Sequence, residues 1–579
     1  MANSTIGDVP AEGLTVTGNL TLFESFTQLP ATLWKHQDLF ILEAKIVFAA
    51  LGCIYLGAHA SLRRPPSASP PPKKKSKHGV VQKDEDQDEQ FVQGLVASDA
   101  IMFPVLAGTV LVGLYYLIKW LEDPAIISKI MGVYFSIMSL GSMGKLFADT
   151  LHFITGFVFP EVWKGRNSKV YRFDGVKKCQ YSLSESGKRV YDETKKTPFP
   201  GFLSARSFSE QRRNTFWELR HLFQEQWTIR LGMHGIGKQK FHVRLNDVLG
   251  AVTAIGASIF YQTTKSNFLS NIMGYAFSYV GIVTLSPTTF TIGSSVLFGL
   301  FFYDIYMVFY TPYMVTVATK LDVPIKLVFE SNKRSSMLGL GDIVVPGIFI
   351  GLCLRFDHFL YYYRQQKLIP IELESAATSD DGAVVTNTET QRMVRKPKYV
   401  SPMGQWGNKF WGKQDATPAV KAAAFPKTYF KASMGGYLLA MVTTLVMLLV
   451  FKHAQPALLY LVPGVVSAVW ITGAARGEIH EMWIYSEDGS LDKQDVVVEV
   501  DGDGNIVNEV ADAEKIEEKN KGDEKDNNSP AQEASGIQAG GKTVESSKST
   551  PTTKKSSSRT VFVFSIEAPS SPVEVEEQS

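Results

Sequence analysis

Long apolar segments alternate with polar ones along the chain, and the apolar segments determine the predicted architecture. A transmembrane helix needs about 20 mostly apolar residues to cross a hydrocarbon core of about 30 Å. Segments of about that length or longer lie at 39–61, 99–119, 125–159, 245–262, 268–287, 290–311, 337–361, 430–452 and 455–474. In the eighth of them Ala432, Gly436 and Ala440 recur at every fourth position, a spacing that lets helices approach closely. The pattern predicts an all-α polytopic membrane protein with nine transmembrane helices.

Lysine and arginine residues in the polar segments predict how these helices are oriented. Loops 62–97 and 161–244 are both rich in them, and the positive-inside bias places both loops in the cytosol. Two spans must then separate these loops, so segment 125–159 counts as a single span. The N-terminus is therefore predicted in the lumen and the C-terminus in the cytosol. N-glycosylation sequons at Asn3 and Asn19, ahead of the first span, agree with a luminal, glycosylated N-terminus.

The chain divides into five predicted regions. They are the luminal N-terminus 1–38, helices one to three in 39–160 with cytosolic loop 62–97, an inserted cytosolic loop 161–244, a core of helices four to nine in 245–485 with cytosolic loop 362–429, and a cytosolic tail 486–579. Residues 365–428 and 486–579 are mostly polar, a composition typical of disorder. Aromatic and arginine residues at helical spacing over 207–230 predict a helix that either lies on the membrane surface or packs against the protein.

Charge and cysteine content exclude several classes of function. The 579 residues include 59 Lys and Arg and 57 Asp and Glu, a net charge of +2. That balance excludes a chain that binds nucleic acid through bulk positive charge, so no nucleic-acid partner is predicted. The three cysteines lie far apart in sequence, which fits neither a disulfide framework nor a cysteine-based zinc site.

Two carboxylates inside the apolar segments are the candidate chemistry, because inserting each one costs at least about 2.5–3.5 kcal/mol. Asp304 lies within the apolar and aromatic segment 290–311, and Asp342 lies near the start of the next span. Consecutive spans are antiparallel, so the two carboxyl groups can meet at a similar depth. The pattern therefore predicts a pair of aspartates on facing helices.

Such a pair can hydrolyse a peptide bond. Two carboxyl groups within a few ångströms cannot both ionise at low cost, so one keeps a proton. The ionised group can deprotonate water while the protonated group donates to a carbonyl oxygen, without a metal or a covalent nucleophile. Glycines beside Asp342 allow close approach of an extended peptide. Prolines that interrupt helices can line a wet cavity where irregular backbone is tolerated, and they are Pro346, Pro456 and Pro463.

Other charged groups in the spans have simpler interpretations. A lone intramembrane aspartate serves helix packing, an ion pathway or folding as often as catalysis. Asp149 and His152, three residues apart, form either a proton relay or a satisfied buried or interfacial pair. Four more charged residues lie near span ends, where long lysine and arginine side chains are expected to snorkel, and they are Glu43, Lys45, Arg355 and Asp357.

Three short motifs occur in order on the sixth, seventh and ninth spans. They are Tyr303-Asp304, Gly339-Leu340-Gly341-Asp342 and Pro456-Ala457-Leu458. This order resembles the GxGD-type intramembrane aspartyl proteases, presenilin and signal peptide peptidase, which share YD, GxGD and PAL motifs and a nine-helix fold. The stretches 314–330, 337–350 and 452–463 look more like signal peptide peptidase. Presenilins have a proline after the PAL triplet and face the opposite way in the membrane, whereas Leu459 follows the triplet here.

The resemblance implies a role for each matching residue. Asp304 and Asp342 would be the catalytic dyad, with no metal and no cofactor. The residues that would shape the site are Tyr303, Gly339, Leu340 and Gly341, and those that would bear on the substrate strand and on packing are Gln455, Pro456, Ala457 and Leu458. The implied substrates are transmembrane peptides in the lipid bilayer, such as signal peptides and also tail-anchored or type II membrane proteins. The family further suggests the endoplasmic reticulum membrane, and a homo-oligomer or a membrane quality-control complex.

Two functions of other classes stay open beside a protease. A non-proteolytic membrane scaffold or quality-control receptor would hold helices without cutting them. A cation channel or transporter would use the same two aspartates as an ion site. The motif order favours the protease, because a cation site needs carboxylates but not the PAL triplet.

Overall fold

The computed structural model of the chain describes residues 37–69, 93–121, 124–184, 187–233, 237–320, 325–331, 334–378, 384–412, 417–451, 455–489, 497–500, 506–510 and 562–567. Nine long helices form the body of this described part: α1 Gln37–Ala60, α2 Asp99–Leu121, α3 Pro124–Val158, α4 Leu245–Thr264, α5 Asn267–Thr284, α6 Phe290–Phe309, α7 Gly341–Tyr363, α8 Thr428–Phe451 and α9 Leu458–Arg476. Each lies on one of the predicted apolar segments. All except α4 and α5 are long and apolar enough to cross a membrane, which agrees with seven of the nine predicted spans.

Helix α7 lies at the centre of the helical body, and 89% of its membrane-length window is buried. It packs against α1, α5, α6, α8 and α9. A Cβ atom at Gly347 would lie 2.6 Å from Ile282 Cδ1 of α5, so this approach requires glycine. The side chains of α7 are apolar around nearly the whole circumference, as is typical of a helix that other helices enclose.

Helices α8 and α9 pack through small residues, as the four-residue spacing in α8 predicts. A Cβ atom at Gly436 of α8 would lie 2.6 Å from the carbonyl oxygen of Gly464 in α9. A Cβ atom at Gly464 would lie 2.6 Å from Ala440 Cβ. The two backbones therefore approach closely, and van der Waals contact holds them where lipid supplies no hydrophobic driving force.

Replacing Gly436 by leucine is expected to lower the free energy of unfolding by about 1–3 kcal/mol, because the new side chain overpacks the α8–α9 contact. The adjacent Gly435 provides a matched control, since a Cβ atom there meets no heavy atom within 4 Å. Gly435→Leu adds the same side chain to the open face of the same helix. The midpoint of a denaturant titration compares the two purified variants. An equal loss of stability in both would contradict the packing role of Gly436.

The regions between and after the long helices contain strands, which the all-α prediction does not include. They are β1 Gln93–Leu95, β2 Val162–Lys164, β3 Val170–Asp174, β4 Cys179–Leu183, β5 Arg189–Asp192, β6 Trp227–Met233, β7 Gly237–Val243, β8 Leu285–Pro287, β9 Lys326–Ser331, β10 Arg334–Gly339, β11 Lys367–Thr378, β12 Val384–Arg395, β13 Val497–Val500, β14 Ile506–Val510 and β15 Phe562–Glu567. The sheets are β2-β3-β4-β5, β11-β12-β13-β14, β15-β6-β7, β9-β10 and the parallel pair β1-β8. The disorder expected over 365–428 and 486–579 therefore does not hold at β11 to β15.

The sheet β2–β5 and the helix Glu210–Gln224 form a small folded unit in the loop 161–244. On this helix Trp217 and Arg220 are buried. Arg220 donates to the carbonyl oxygen of Pro160 at 2.8 Å, and burial lowers its pKa to about 10. The helix therefore packs against protein, which is the second of the two alternatives that the sequence leaves open.

A buried ion pair joins α7 to the segment that follows α9. Arg355 of α7 donates from Nε to Glu487 Oε1 at 2.8 Å. Its two Nη atoms donate to the hydroxyls of Ser61 at 2.8 Å and Ser286 at 2.7 Å. The side chains of Arg355 and Glu487 are only 3% and 5% exposed. The expectation that Arg355 snorkels is therefore wrong, because a carboxylate from a distant part of the chain neutralises its charge inside the protein.

Glu487 also attaches the beginning of the predicted tail 486–579 to the helical body. Besides Arg355, its carboxylate accepts hydrogen bonds from Arg63 and, at 2.6 Å, from the Tyr485 hydroxyl. Burial alone would raise the pKa of the Glu487 carboxyl, but the charges of Arg355 and Arg63 together with hydrogen bonds from Ser286 and Tyr485 outweigh burial and hold this pKa below its ordinary value. The packed body therefore extends past the predicted boundary at residue 485.

Candidate active site

Asp304 lies on the inward face of α6, with its side chain buried. The helix begins after Thr289, whose hydroxyl accepts the N–H of Ile292 at 3.2 Å and caps the first turn. Asp304 Oδ2 accepts the backbone N–H of Leu458 at 3.1 Å. This hydrogen bond holds the carboxyl group of α6 against the first residue of α9.

Asp342 lies in the first turn of α7, directly after strand β10. Its side chain is half-buried, and its backbone carbonyl accepts the hydroxyl of Tyr437 from α8 at 3.2 Å. The Asp304 carboxyl is close enough to act electrostatically on that of Asp342. The consecutive helices α6 and α7 therefore bring the two predicted aspartates together, as their antiparallel arrangement leads one to expect.

The residues Gly339, Leu340 and Gly341, which precede Asp342, have three different surroundings. A Cβ atom at Gly339 would lie 3.3 Å from Asp342 Oδ2, so a side chain there would press on the carboxyl group. Leu340 packs against α5, where its Cδ2 lies 3.2 Å from the Cβ position of Gly274. Gly341 is exposed, and a Cβ atom there meets nothing within 4 Å. Residues 339–341 are thus anchored to α5 through Leu340, whereas the backbone at Gly341 leaves Asp342 accessible.

The Pro456-Ala457-Leu458 triplet leads into α9 beside Asp304. Pro456 and Leu458 are buried, whereas Gln455 and Ala457 are half-buried. The first N–H groups of a helix have no acceptor within that helix, and the N–H of Leu458 is one of them. Asp304 supplies that acceptor, so the triplet meets the dyad through its backbone rather than through a polar side chain.

Tyr303 is placed differently from the other motif residues. It is half-buried, and its ring Cε2 lies 3.6 Å from the Cβ position of Gly108 on α2. Asp304 acts on Tyr303 electrostatically. The Tyr303 ring therefore packs against α2 while remaining a neighbour of the dyad.

Two residues outside the motifs also belong to the surroundings of the site. Tyr437 fixes the backbone of Asp342, as described above, and no local pattern in α8 indicates this role. The side chain of Asn271 on α5 accepts a hydrogen bond from the Val328 N–H at 2.8 Å and donates one to the Val328 carbonyl at 2.7 Å. These two hydrogen bonds cover the outer edge of β9. Its only signal in the sequence is an amide inside an apolar segment.

Asp149 and His152 lie apart from the dyad and have separate partners. Asp149 accepts from Lys145 Nζ at 3.0 Å and from the Tyr279 hydroxyl at 2.7 Å. His152 Nε2 lies 3.1 Å from Asp247 Oδ1 of α4. The structure therefore favours satisfied polar groups over a relay between the two. The predicted glycosylation sites Asn3 and Asn19 lie outside the described residues.

Comparisons with known proteins agree with the motif order. A family model described as signal peptide peptidase matches residues 86–489. The signal peptide peptidase of Mus musculus is 33% identical over 252 residues, 42% of this chain and 50% of the relative. The signal peptide peptidase of Homo sapiens is 32% identical over 262 residues, 44% of this chain and 52% of the relative.

A probable intramembrane protease of Schizosaccharomyces pombe is 32% identical over 253 residues, 43% of this chain and 67% of the relative. The chain thus spans about half the length of the mouse and human relatives that it matches. No solved structure matches the chain.

Proposed function

The chain belongs to the signal peptide peptidase family, and we propose that it is an intramembrane aspartyl endopeptidase with Asp304 and Asp342 as its catalytic dyad. The observation that carries this proposal is the meeting of two carboxyl groups from α6 and α7 beside the first residue of α9. The proposed substrates are membrane-spanning segments, such as signal peptides that remain after preprotein cleavage, tail-anchored proteins and type II membrane proteins. No cofactor is required for this reaction.

The reaction uses the pair of carboxyl groups as an acid and a base. The ionised aspartate takes a proton from water, and the water oxygen attacks the carbonyl carbon of the scissile peptide. The protonated aspartate donates to the carbonyl oxygen, which stabilises the tetrahedral intermediate. Collapse of the intermediate breaks the C–N bond, the amine nitrogen takes the proton that the first aspartate received from water, and the hydroxyl formed from the carbonyl oxygen returns its proton to the second aspartate. The pair titrates as a unit, so acid and base are not assigned to single residues.

The β9–β10 hairpin supports the binding of an unwound substrate beside Asp342. In the described part of the chain this sheet has two strands, and Asn271 covers the β9 edge. The Leu340 N–H donates to the Ile325 carbonyl across the hairpin. Along an antiparallel strand the N–H groups point alternately toward the partner strand and away from it, so the N–H of Met337, three residues earlier, points away from β9. We propose that an extended substrate segment adds to this β10 edge, which would satisfy its own backbone groups after unwinding.

Met337→Pro is expected to reduce the cleavage rate about tenfold, because proline removes the edge N–H and its hydrogen bond to the substrate. Edge strands tolerate proline, so the fold should be retained. Met337→Ala keeps the N–H and is the matched control, with a rate close to that of the wild type. The readout is the initial rate of product formation from a labelled signal-peptide helix, together with the melting midpoint of each variant. Cleavage by Met337→Pro at the wild-type rate would exclude strand addition at this edge.

The proposed topology has nine spans, with α4 and α5 included and with the N-terminus in the lumen of the endoplasmic reticulum. Its support is that the C-terminal ends of α1, α3 and α5 meet the segment 402–427 around one cavity. In a nine-span chain all four of these regions face the cytosol. Glycosylation of Asn3 and Asn19 is proposed from their sequons, and a homo-oligomer or quality-control complex is proposed from the family.

Purified protein in detergent, incubated with a labelled signal-peptide helix, tests the proposed activity directly. The proposal expects two product peptides whose masses add up to the substrate plus one water. Peptide that binds without being cut would favour the scaffold or receptor function. Stabilisation by a monovalent or divalent cation that disappears in Asp304→Asn, without cleavage in the wild type, would favour the channel or transporter.

A further inference from the structure

A cavity of about 470 Å³ lies in the helical body at a distance from the dyad. Glu43, near the beginning of α1, accepts from the Ser336 hydroxyl of β10 at 3.2 Å and so marks the end of α1 that lies beside the site. His59, which lines the cavity, follows further along α1, about 24 Å away at a rise of 1.5 Å per residue. The cavity therefore lies at the predicted cytosolic end of the helices.

Two positively charged lysine side chains line this cavity, and the charge of one acts on the other. Lys409 and Lys427 line it, and Lys427 Nζ lies 2.8 Å from His59 Nε2. Burial and then the charge of Lys409 lower the pKa of Lys427 to about 8. In the described residues neither lysine forms an ion pair with a carboxylate. The cluster is thus short of negative charge.

The nearby carboxylates are already engaged by other groups. Asp149 lines the cavity, but Lys145 and the Tyr279 hydroxyl occupy its oxygens. Asp357 of α7 acts on Lys427 from outside the lining, and its two oxygens accept the first N–H groups of α8, from Tyr429 at 3.1 Å and Phe430 at 2.9 Å. Neither carboxylate therefore contacts Lys409 or Lys427.

The wall of the cavity is apolar and continues to the outer surface of the helices. Leu56 of α1 and Phe153 of α3 line it and are 41% and 43% exposed, on helices whose free faces meet lipid in the proposed topology. The ring of Trp406 stands 5.2 Å from that of His59 and 6.2 Å from that of Phe153. Tryptophan is enriched at the boundary between hydrocarbon and headgroups.

We propose that this cavity binds an anionic glycerophospholipid from the cytosolic leaflet, with its phosphate between Lys409 and Lys427. The acyl chains would lie along Leu56 and Phe153, outside the cavity and in the hydrocarbon. A volume of about 470 Å³ accommodates a lipid headgroup, and the positive charges of the two lysines balance the negative charge of that headgroup. The site is separate from the dyad, so its test does not depend on proteolysis.

The test uses the full-length protein purified in a neutral maltoside detergent. Isothermal titration compares dioctanoyl phosphatidylinositol with dioctanoyl phosphatidylcholine, which has the same acyl chains and no net charge. We expect phosphatidylinositol to bind about thirtyfold more tightly, since each of the two lysines near an anionic headgroup contributes a factor of about five. Lys409→Gln/Lys427→Gln should remove that preference. Lys164→Gln/Lys169→Gln, which changes two exposed lysines of the small folded unit, keeps the preference and matches the change in net charge.

Two further ligands identify the source of the anion. Inorganic phosphate and a peptide of residues 83–90, the acidic run of loop 62–97, are titrated in the same way. If inorganic phosphate binds as tightly as phosphatidylinositol, the proposal is overturned. It is also overturned if the acidic peptide binds and phosphatidylinositol does not. Equal binding of the two lipids, or an equal loss in both double variants, would also overturn it. The melting midpoint of Lys409→Gln/Lys427→Gln without lipid should not fall, because the substitution removes two like charges that act on each other.

Discussion

Replacing either Asp304 or Asp342 by asparagine is expected to reduce cleavage by about 10²–10⁴-fold while the protein stays folded. Asparagine has nearly the same shape but cannot take or give the proton that the reaction needs. General acid and general base catalysis each contribute about 10²–10⁴-fold, so the loss of either partner suffices. Product masses after incubation with a labelled signal-peptide helix measure the effect.

Asparagine is preferred to alanine at position 304 because of the hydrogen bond to α9. Asp304 Oδ2 accepts the buried N–H of Leu458, and an asparagine amide oxygen can still accept it. Asp304→Ala should also abolish cleavage, but it leaves that N–H unpaired at a cost of about 1–3 kcal/mol. A lower melting midpoint for the alanine variant alone would separate the two effects.

Asp149→Asn is the matched control for the dyad variants. Asp149 is another carboxylate on a long apolar helix, but Lys145 and Tyr279 engage it away from the site. We expect this variant to keep cleavage. Cleavage that survives in Asp304→Asn or Asp342→Asn would show that the dyad assignment is wrong. Loss of cleavage in Asp149→Asn would mean that removing any carboxylate from these helices gives the same result.

Glu487→Gln is expected to lower the free energy of unfolding by about 3–5 kcal/mol, the usual cost of removing one partner from a buried ion pair. The variant leaves the Arg355 guanidinium inside the protein without its counter-charge, with only neutral acceptors, namely the hydroxyls of Ser61 and Ser286 and the amide oxygen of the substituted side chain. A denaturant titration of the purified protein at neutral pH measures the change.

The effect of Glu487→Gln should depend on pH in a defined direction. The pKa of Glu487 is held below its ordinary value of 4.5 in the folded protein. Its stabilising contribution is therefore fully present above pH 4.5 and is lost as the pH falls through the folded pKa. The stability difference between wild type and variant should shrink on acidification below that pH.

Glu210→Gln provides the control for a surface ion pair. Glu210 is exposed, and its carboxylate lies 3.7 Å from Arg213 one helical turn away. Exposed pairs contribute about 0–1 kcal/mol, so this variant should be nearly as stable as the wild type. If Glu487→Gln were no less stable than Glu210→Gln, the network around Arg355 would not hold the tail segment to the body.

The long helices and the dyad follow from local features of the chain. Each of the nine helices coincides with an apolar segment, because the free energy of transfer to hydrocarbon is summed over about 20 consecutive residues. Asp304 and Asp342 meet because consecutive spans run antiparallel. The contact between α8 and α9 follows from the small residues at Gly436 and Ala440, whose spacing repeats along one helical face.

Other features were not predictable, because they depend on residues far apart in the chain. Arg355 looks like a snorkelling residue near a span end, yet its counter-charge Glu487 lies 132 positions away, in a region whose composition suggests disorder. Asn271 covers the β9 edge from 57 positions away. Hydropathy and composition are sums over neighbours in sequence, so they contain no information about such pairings.

The sequence alone therefore determined that the chain is a helical membrane protein, and it predicted which carboxylates and motifs carry the proposed chemistry. Only the tertiary structure decided that Leu458 donates to Asp304, that β10 pairs with no strand other than β9 among the described residues, and that Lys409 and Lys427 line one cavity. The physical reason is the distance along the chain over which each interaction acts. Partition into a membrane depends on local composition, whereas a hydrogen bond or a charge pair depends on where distant backbone segments come to lie.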